Sequence, residues 1–210
     1  TFQVTVDAAA TGWILYTDDH ENGADGWVVS NAVGGVDWAL STANPYSGTS
    51  SWFALNTDYL SDQYLSMATP VALDGACTLS FRHAYNTEEN WDGGLVDYSV
   101  DGGAWVDLGS LMTQEPYNSA VFGDYGGPAG DTAAFTGDSG GYVETRADLS
   151  SLAGSDLRLR FRMSCDSSLS EVGWYVDDVQ IFQDKELTNS ACVSATGWPE
   201  VCRASSLSLL

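Results

Sequence analysis

The sequence predicts an all-β sandwich of two antiparallel sheets, and three observations carry this. Short apolar runs are punctuated by turn residues about every ten positions. Leu157, Leu159, Phe161 and Met163 alternate strictly with Arg158, Arg160 and Arg162, the period of a strand with one wet and one buried face. No amphipathic helical pattern of useful length and no internal repeat interrupts the rhythm. At 210 residues the chain is long enough for one large β domain with a real core.

Taken in order, TFQVTV is a short alternating strand set apart by AAATG, so residues 1–12 read as an N-terminal strand or extension. Trp13 to Thr17 is a strand running into DDHENGADGW. Trp27 to Trp38 reads as a hairpin turning at Gly34-Gly35. Ser51 to Leu55 is a strand after the turn-rich STANPYSGTSS, and Tyr64 to Leu73 passes through Pro70 into another. Cys77 to Tyr85 alternates cleanly and puts His83 on the apolar face, as a hydrogen-bonded core histidine. Asp101-Gly102-Gly103 joins Leu95–Val100 to Trp105–Leu108 as a hairpin. Met112 to Tyr142 is the longest irregular stretch. Its aromatics either pin the loop to its own domain or stack on sugar rings or peptide, and Tyr117, Phe122 and Tyr125 are the candidate ligand-binding residues. Val143–Asp148, the arginine-striped strand and Trp174–Ile181 complete a sandwich over residues 13–183. After Phe182 the pattern dissolves, and residues 184–210 read as a linker or the start of another module.

Seven Lys and Arg face 29 Asp and Glu, a formal charge of -22. Such a chain is repelled by nucleic acid and by anionic membranes. No apolar run reaches the ~20 residues that span a bilayer. The acidity serves solubility, or some carboxylates hold calcium, which prefers hard oxygen ligands. Asp177 and Asp178 lie inside the last strand among apolar residues, where a charge is expensive without a partner. Asp19 and Glu21 share a face at a strand end, as metal ligands or as ordinary strand-end charges. Cys192 and Cys202 flank a short Gly/Pro loop and suit a local disulfide. Cys77 and Cys165 sit at strand ends on apolar parity, as a second disulfide or as buried thiols. The chain opens at Thr1 without a visible signal peptide and reads as a mature or excised piece of a longer product from an oxidising, extracellular setting. His20 and His83 are the two histidines. Neither lies in an HExxH segment or near a nucleophile elbow, so the chain reads as non-catalytic.

The segments YTDDHENGADGW, YSGTSSWFA, DQYLSMATPVAL, LSFRHAYNTEENWDGGLVDYSVDGGAWVDLG, Tyr117-Asn118, FTGDSGGYVETRADLSSLAG and LRLRFRMSCDSSLSEVGWYVDDVQI run from Tyr16 to Ile181. In this order they resemble the MAM-related jelly-roll domains that accompany secreted bacterial metallopeptidases of the fungalysin and immune-inhibitor types. His20 departs from that pattern, where an aromatic or aliphatic residue is usual. The resemblance implies a two-sheet antiparallel jelly roll, without catalytic residues, that binds structural calcium. It places Asp19 and Glu21 of the first strand with Asp177 and Asp178 of the last around one ion, completed by carbonyls of residues 44–50, with Asp92 as a further candidate. Asp177 alternatively caps nearby backbone amides.

The expected function is that of a calcium-stabilised, extracellular accessory or binding domain of a secreted multidomain protein, a peptidase. Its partners are a protein or polysaccharide surface, or other copies of itself. The alternatives are a subunit of an extracellular filament or surface layer, assembled by donating the N-terminal strand, and a carbohydrate-binding module.

Overall fold

Two faces of opposite character on each long strand leave one arrangement open to this chain, in which two sheets bury their apolar faces against each other. A computed structural model shows it. The structure describes residues 13–183 in full, and the backbone of residues 2–5, 185–195 and 198–209. The strands are β1 (Phe2–Thr5), β2 (Trp13–Asp18), β3 (Trp27–Val33), β4 (Ala39–Ser41), β5 (Ser51–Leu55), β6 (Ser61–Met67), β7 (Val71–Ala72), β8 (Cys77–Asn86), β9 (Gly93–Val100), β10 (Val106–Asp107), β11 (Met112–Gln114), β12 (Ser119–Val121), β13 (Thr132–Ala134), β14 (Val143–Asp148), β15 (Asp156–Cys165), β16 (Gly173–Gln183), β17 (Lys185–Ala195) and β18 (Trp198–Leu209).

The front sheet runs β10-β9-β15-β6-β3, with β7 beside β15. The back sheet runs β11-β14-β8-β16-β5-β4, with β2 beside β16. All pairings are antiparallel, and the architecture is a jelly-roll sandwich. The inward stripe Leu157, Leu159, Phe161 and Met163 is fully buried. The Phe161 ring meets Phe81 at 5.2 Å and Trp174 at 5.8 Å, so one aromatic joins the sheets. Two glycines allow close packing, Gly94 between the sheets and Gly173 within the back sheet, where β16 pairs with β5. A Cβ on Gly94 would stand 2.6 Å from the Trp174 ring, and one on Gly173, at φ +127°, would stand 2.1 Å from the Ala54 carbonyl.

The long strand β16 changes partner along its length. Gly173 to Val176 pairs with β5, and Val179 to Gln183 pairs with β2. At the changeover the register with β8 slips between Asp177 and Gln180, and Asp178 adopts φ +45°. This is a β-bulge, which re-aims side chains where pairing is interrupted. Asp177 and Asp178 are the two residues at the gap.

Three expectations change here. Gly34-Gly35 does not close a hairpin: β3 pairs with β6 in the front sheet and β4 with β5 in the back, so this turn carries the chain between sheets. Gly34, at φ +92°, also lies against Ser61, where a Cβ would come within 2.7 Å. The stretch 112–142 is not structureless: β11 joins the back sheet, and β12 and β13 form a small hairpin. The backbone of the tail forms β17 and β18, with β1 on β17. The register sets Cys192 opposite Cys202, whose side chains lie outside the described residues. Cys77 and Cys165 are not joined to each other. Cys77 begins β8, whereas Cys165 neighbours Asn56, which binds Glu88 just beyond the end of β8. Ten residues of strand, roughly 30 Å, lie between the two ends.

Candidate functional site

The acids singled out in the sequence hold the loop 44–50 in the gap beside β16. Asp177 is fully buried. Its Oδ2 accepts the N–H groups of Tyr46 at 2.8 Å and Ser47 at 3.2 Å, and its Oδ1 accepts that of Asp178 at 2.8 Å. Burial pushes its pKa up, opposed by these three amides. The Ser47 hydroxyl donates to Asp178 at 2.9 Å. Glu21 clamps the other side of the loop, with Oε1 accepting Thr49 N–H at 2.8 Å and Ser50 N–H at 2.7 Å. The hydroxyl and amide of Thr49 draw the Glu21 pKa down. Gly48 lies flat against this carboxylate, where a Cβ would stand 2.5 Å from Cδ. The loop thus turns amide N–H groups toward these acids, where carbonyls were expected. Carbonyls are ligands for a cation, whereas N–H dipoles balance a carboxylate by themselves. Asp19 is exposed, and among the described residues its Oδ1 accepts the nearby Glu21 N–H, at 3.2 Å.

A second acidic group lies at one end of the sandwich, on the loops that follow β8 and β15. One carboxylate oxygen from each of Glu88, Asp92 and Asp166 falls within 4.8 Å of the others, a gathering that Asp19, Glu21, Asp177 and Asp178 do not make. Asp92 and Asp166 are fully buried. Asp92 is held by the Asp166 N–H at 2.7 Å and by the Asn56 side-chain amide. Asn56 Oδ1 in turn accepts the N–H groups of Glu88 and Glu171, at 3.2 and 3.0 Å. One side chain from the end of β5 therefore ties both loops together. Asp166 Oδ1 accepts Ser168 N–H at 2.8 Å, but Asp166 Oδ2 and Glu88 Oε2 are buried without a hydrogen-bond partner. Burial raises the Asp92 pKa to about 7, with its hydrogen bonds opposing and the charges of Asp166 and Glu88 adding. Burial likewise raises Glu88, reinforced by Asp166 and Glu171. Asp92 was a sequence candidate. Glu88, Asp166 and Asn56 were not, although NTEENWD and SCDSS are the acidic, turn-rich segments that carry the first two.

The three loop aromatics divide. Tyr117 points inward, against the expectation for a ligand-binding residue. Its hydroxyl accepts Val96 N–H at 2.8 Å and donates to Asp107 at 3.0 Å, and its ring meets Phe135 at 4.8 Å. An amphipathic ring with a satisfied hydroxyl is an anchor for the loop. Phe122 and Tyr125 are 47% and 69% exposed and pack on Trp91 at 5.2 and 5.3 Å. Tyr125 is held at φ +58°, an uncommon state for a bulky residue, with its carbonyl accepting Ser167 Oγ at 3.5 Å. Trp91 directly precedes Asp92, so this aromatic cluster stands beside the acids.

Both histidines are enclosed. His83 is fully buried. Its Nδ1 accepts Trp174 Nε1–H at 3.1 Å, which leaves Nε2 to donate to Thr145 Oγ1 at 2.9 Å. The Thr145 hydroxyl proton goes on to the Glu115 carbonyl at 2.7 Å. His20, at φ +59°, lies edge-on between Trp27 and Trp52, with Nδ1 3.2 Å from Asp18.

A jelly roll with clamped acidic loops and an exposed aromatic cluster defines the class, a two-sheet β-sandwich module. The chain belongs to the immune inhibitor A-like MAM domain family, whose profile matches residues 8–192. It is similar to bacillopeptidase F of Bacillus subtilis (strain 168), 23% identical over 88% of the chain but only 12% of that protein. Among solved structures it resembles the K1 cleaved adhesin domain of Lys-gingipain from Porphyromonas gingivalis W83, with TM-score 0.51 and 16% identity over 83% of this chain and 99% of that one. It also resembles TmCBM61, solved in complex with β-1,4-galactotriose, with TM-score 0.50 and 14% identity over 79% of this chain and 94% of that one. Among the described residues no helix is long and apolar enough to cross a membrane.

Proposed function

We propose that the chain is a non-catalytic, calcium-stabilised accessory domain of a secreted multidomain protein, a peptidase, and that it holds the parent protein against a protein or polysaccharide surface. The observation that carries this reading is the cluster of Trp91, Phe122 and Tyr125. Loops present it to solvent on a rigid scaffold, at a place where core packing does not account for Phe122 or Tyr125. The family match and the similarity to bacillopeptidase F support the accessory role. The enclosure of both histidines supports the absence of catalysis, because His83 has no exposed surface from which to reach a substrate. Calcium is the expected cation for a module rich in carboxylates, because it takes roughly six to eight hard oxygen ligands.

The test pairs binding with activity. Phe122→Ala combined with Tyr125→Asn, a residue suited to the left-handed backbone at 125, should weaken retention on insoluble polysaccharide or protein at least tenfold while leaving the melting temperature unchanged. Peptidase and glycosidase assays on the chain alone should be blank. Unchanged retention overturns the binding reading, and turnover overturns the accessory one. A carbohydrate ligand is the favoured second reading, because a related fold in TmCBM61 holds β-1,4-galactotriose. The strand-donation reading has less support, since β1 is paired with β17 of its own chain.

A further inference from the structure

We propose that Glu88, Asp92 and Asp166 form a calcium site that locks the loops after β8 and β15 together beneath the aromatic cluster. The inference rests on the calcium-stabilised reading above and gives it a place, away from the first and last strands.

The argument begins with satisfaction. Buried polar atoms in folded proteins are almost always paired, and each exception needs an explanation, an ion among them. Asp166 is 0% exposed, and its Oδ2 has no donor. Glu88 Oε2, also buried, has none either. The acids at the 44–50 loop differ in this respect, because Glu21 and Asp177 have amide donors on their oxygens. The demand for positive charge is therefore unmet at Glu88 and Asp166 and met at the loop.

Charge and geometry agree. The charges that bear most on Glu88 and Asp92 are carboxylates, Asp166 and Glu171 among them, so repulsion accumulates where water is excluded. A divalent cation removes that repulsion. Oxygen ligands select a hard ion. Two oxygens on one calcium lie at most about 5 Å apart, twice the metal–oxygen distance, and the three ligand oxygens here fall within 4.8 Å. Magnesium draws its ligands closer, in strict octahedra, and keeps its water, so it fits three carboxylates on two separate loops less well.

The consequence reaches the surface. Trp91 is one residue from Asp92, and a Cβ on Gly127 would stand 3.6 Å from Asp166 Cβ, so the loop carrying Phe122 and Tyr125 rests on the proposed site. Calcium would order the aromatic cluster without touching its ligand.

The experiment measures the melting temperature of the full chain in calcium, in magnesium and in chelator. Calcium a hundredfold above its Kd should raise the wild-type value by roughly 5–10 °C. Asp166→Asn and Glu88→Gln should each lose most of that rise, and in chelator Asp166→Asn should melt no lower than wild type, because it removes a repelling charge. Glu21→Gln should keep the rise. No rise in the wild type overturns the calcium reading, and the site with it. A rise that survives Asp166→Asn and Glu88→Gln but vanishes in Glu21→Gln leaves the calcium reading standing and overturns this site.

Discussion

At the scale of the residue, His83 shows how a titratable group becomes a packing element. Burial alone holds its pKa down to about 3, and Trp174 and Thr145 fix the neutral tautomer. In the unfolded chain an imidazole titrates at about 6.5. Between these values the unfolded chain takes up a proton that the folded chain refuses. The contribution of His83 is therefore complete above pH 6.5 and is lost as pH falls toward 3. His83→Gln should cost about 2–4 kcal/mol at pH 7, through lost packing and unmatched donors. Its disadvantage against wild type should narrow as pH drops from 7 to 4, which denaturant titrations at several pH values measure. This residue was legible in the sequence, because its parity with Leu79 and Phe81 already put it on the apolar face. Tyr117 was not: it lies in a stretch without periodicity, and its partners Val96 and Asp107 come from elsewhere in the sandwich.

At the scale of the element, β15 and β16 carry most of the information. The inward stripe of β15 was plain from its period of two. The fate of its arginines was not, since their partners come from neighbouring strands. Arg162 forks onto Asp62 at 2.6 and 3.0 Å, and Arg160 lies between the rings of Tyr64 and Trp105 while binding Asp97. A lysine has neither the fork nor the planar face. Arg162→Lys should lower stability by about 1–2 kcal/mol, read from urea midpoints, because one ammonium replaces the two-point fork on the buried Asp62, which keeps the Tyr64 hydroxyl as its other donor. In β16 the acids at 177 and 178 announced a need for partners, as any charge in an apolar strand does. That the partners would be amides of a loop some 130 residues earlier followed from the bulge and the change of partner strand, and neither leaves a local signature in the sequence.

At the scale of the molecule, the sandwich was readable because alternation is repeated in many strands and each repeat agrees with the others. The gathering of Glu88, Asp92 and Asp166 was hidden because it needs two loops, 74 residues apart between Asp92 and Asp166, to meet at one end. That meeting is set by the whole jelly roll and by Asn56 at its junction. The same junction touches a thiol. Asn56 Nδ2 lies 3.4 Å from Cys165 Sγ, and burial, with the Asp92 charge behind it, holds that thiol in its unreactive protonated form. Cys165 is therefore a built-in stopwatch for this end of the fold. An alkylating reagent can reach the sulfur only during excursions that pull Asn56 aside, so the labelling rate at Cys165, followed by peptide mass spectrometry, counts those excursions, and it should slow severalfold when calcium is added.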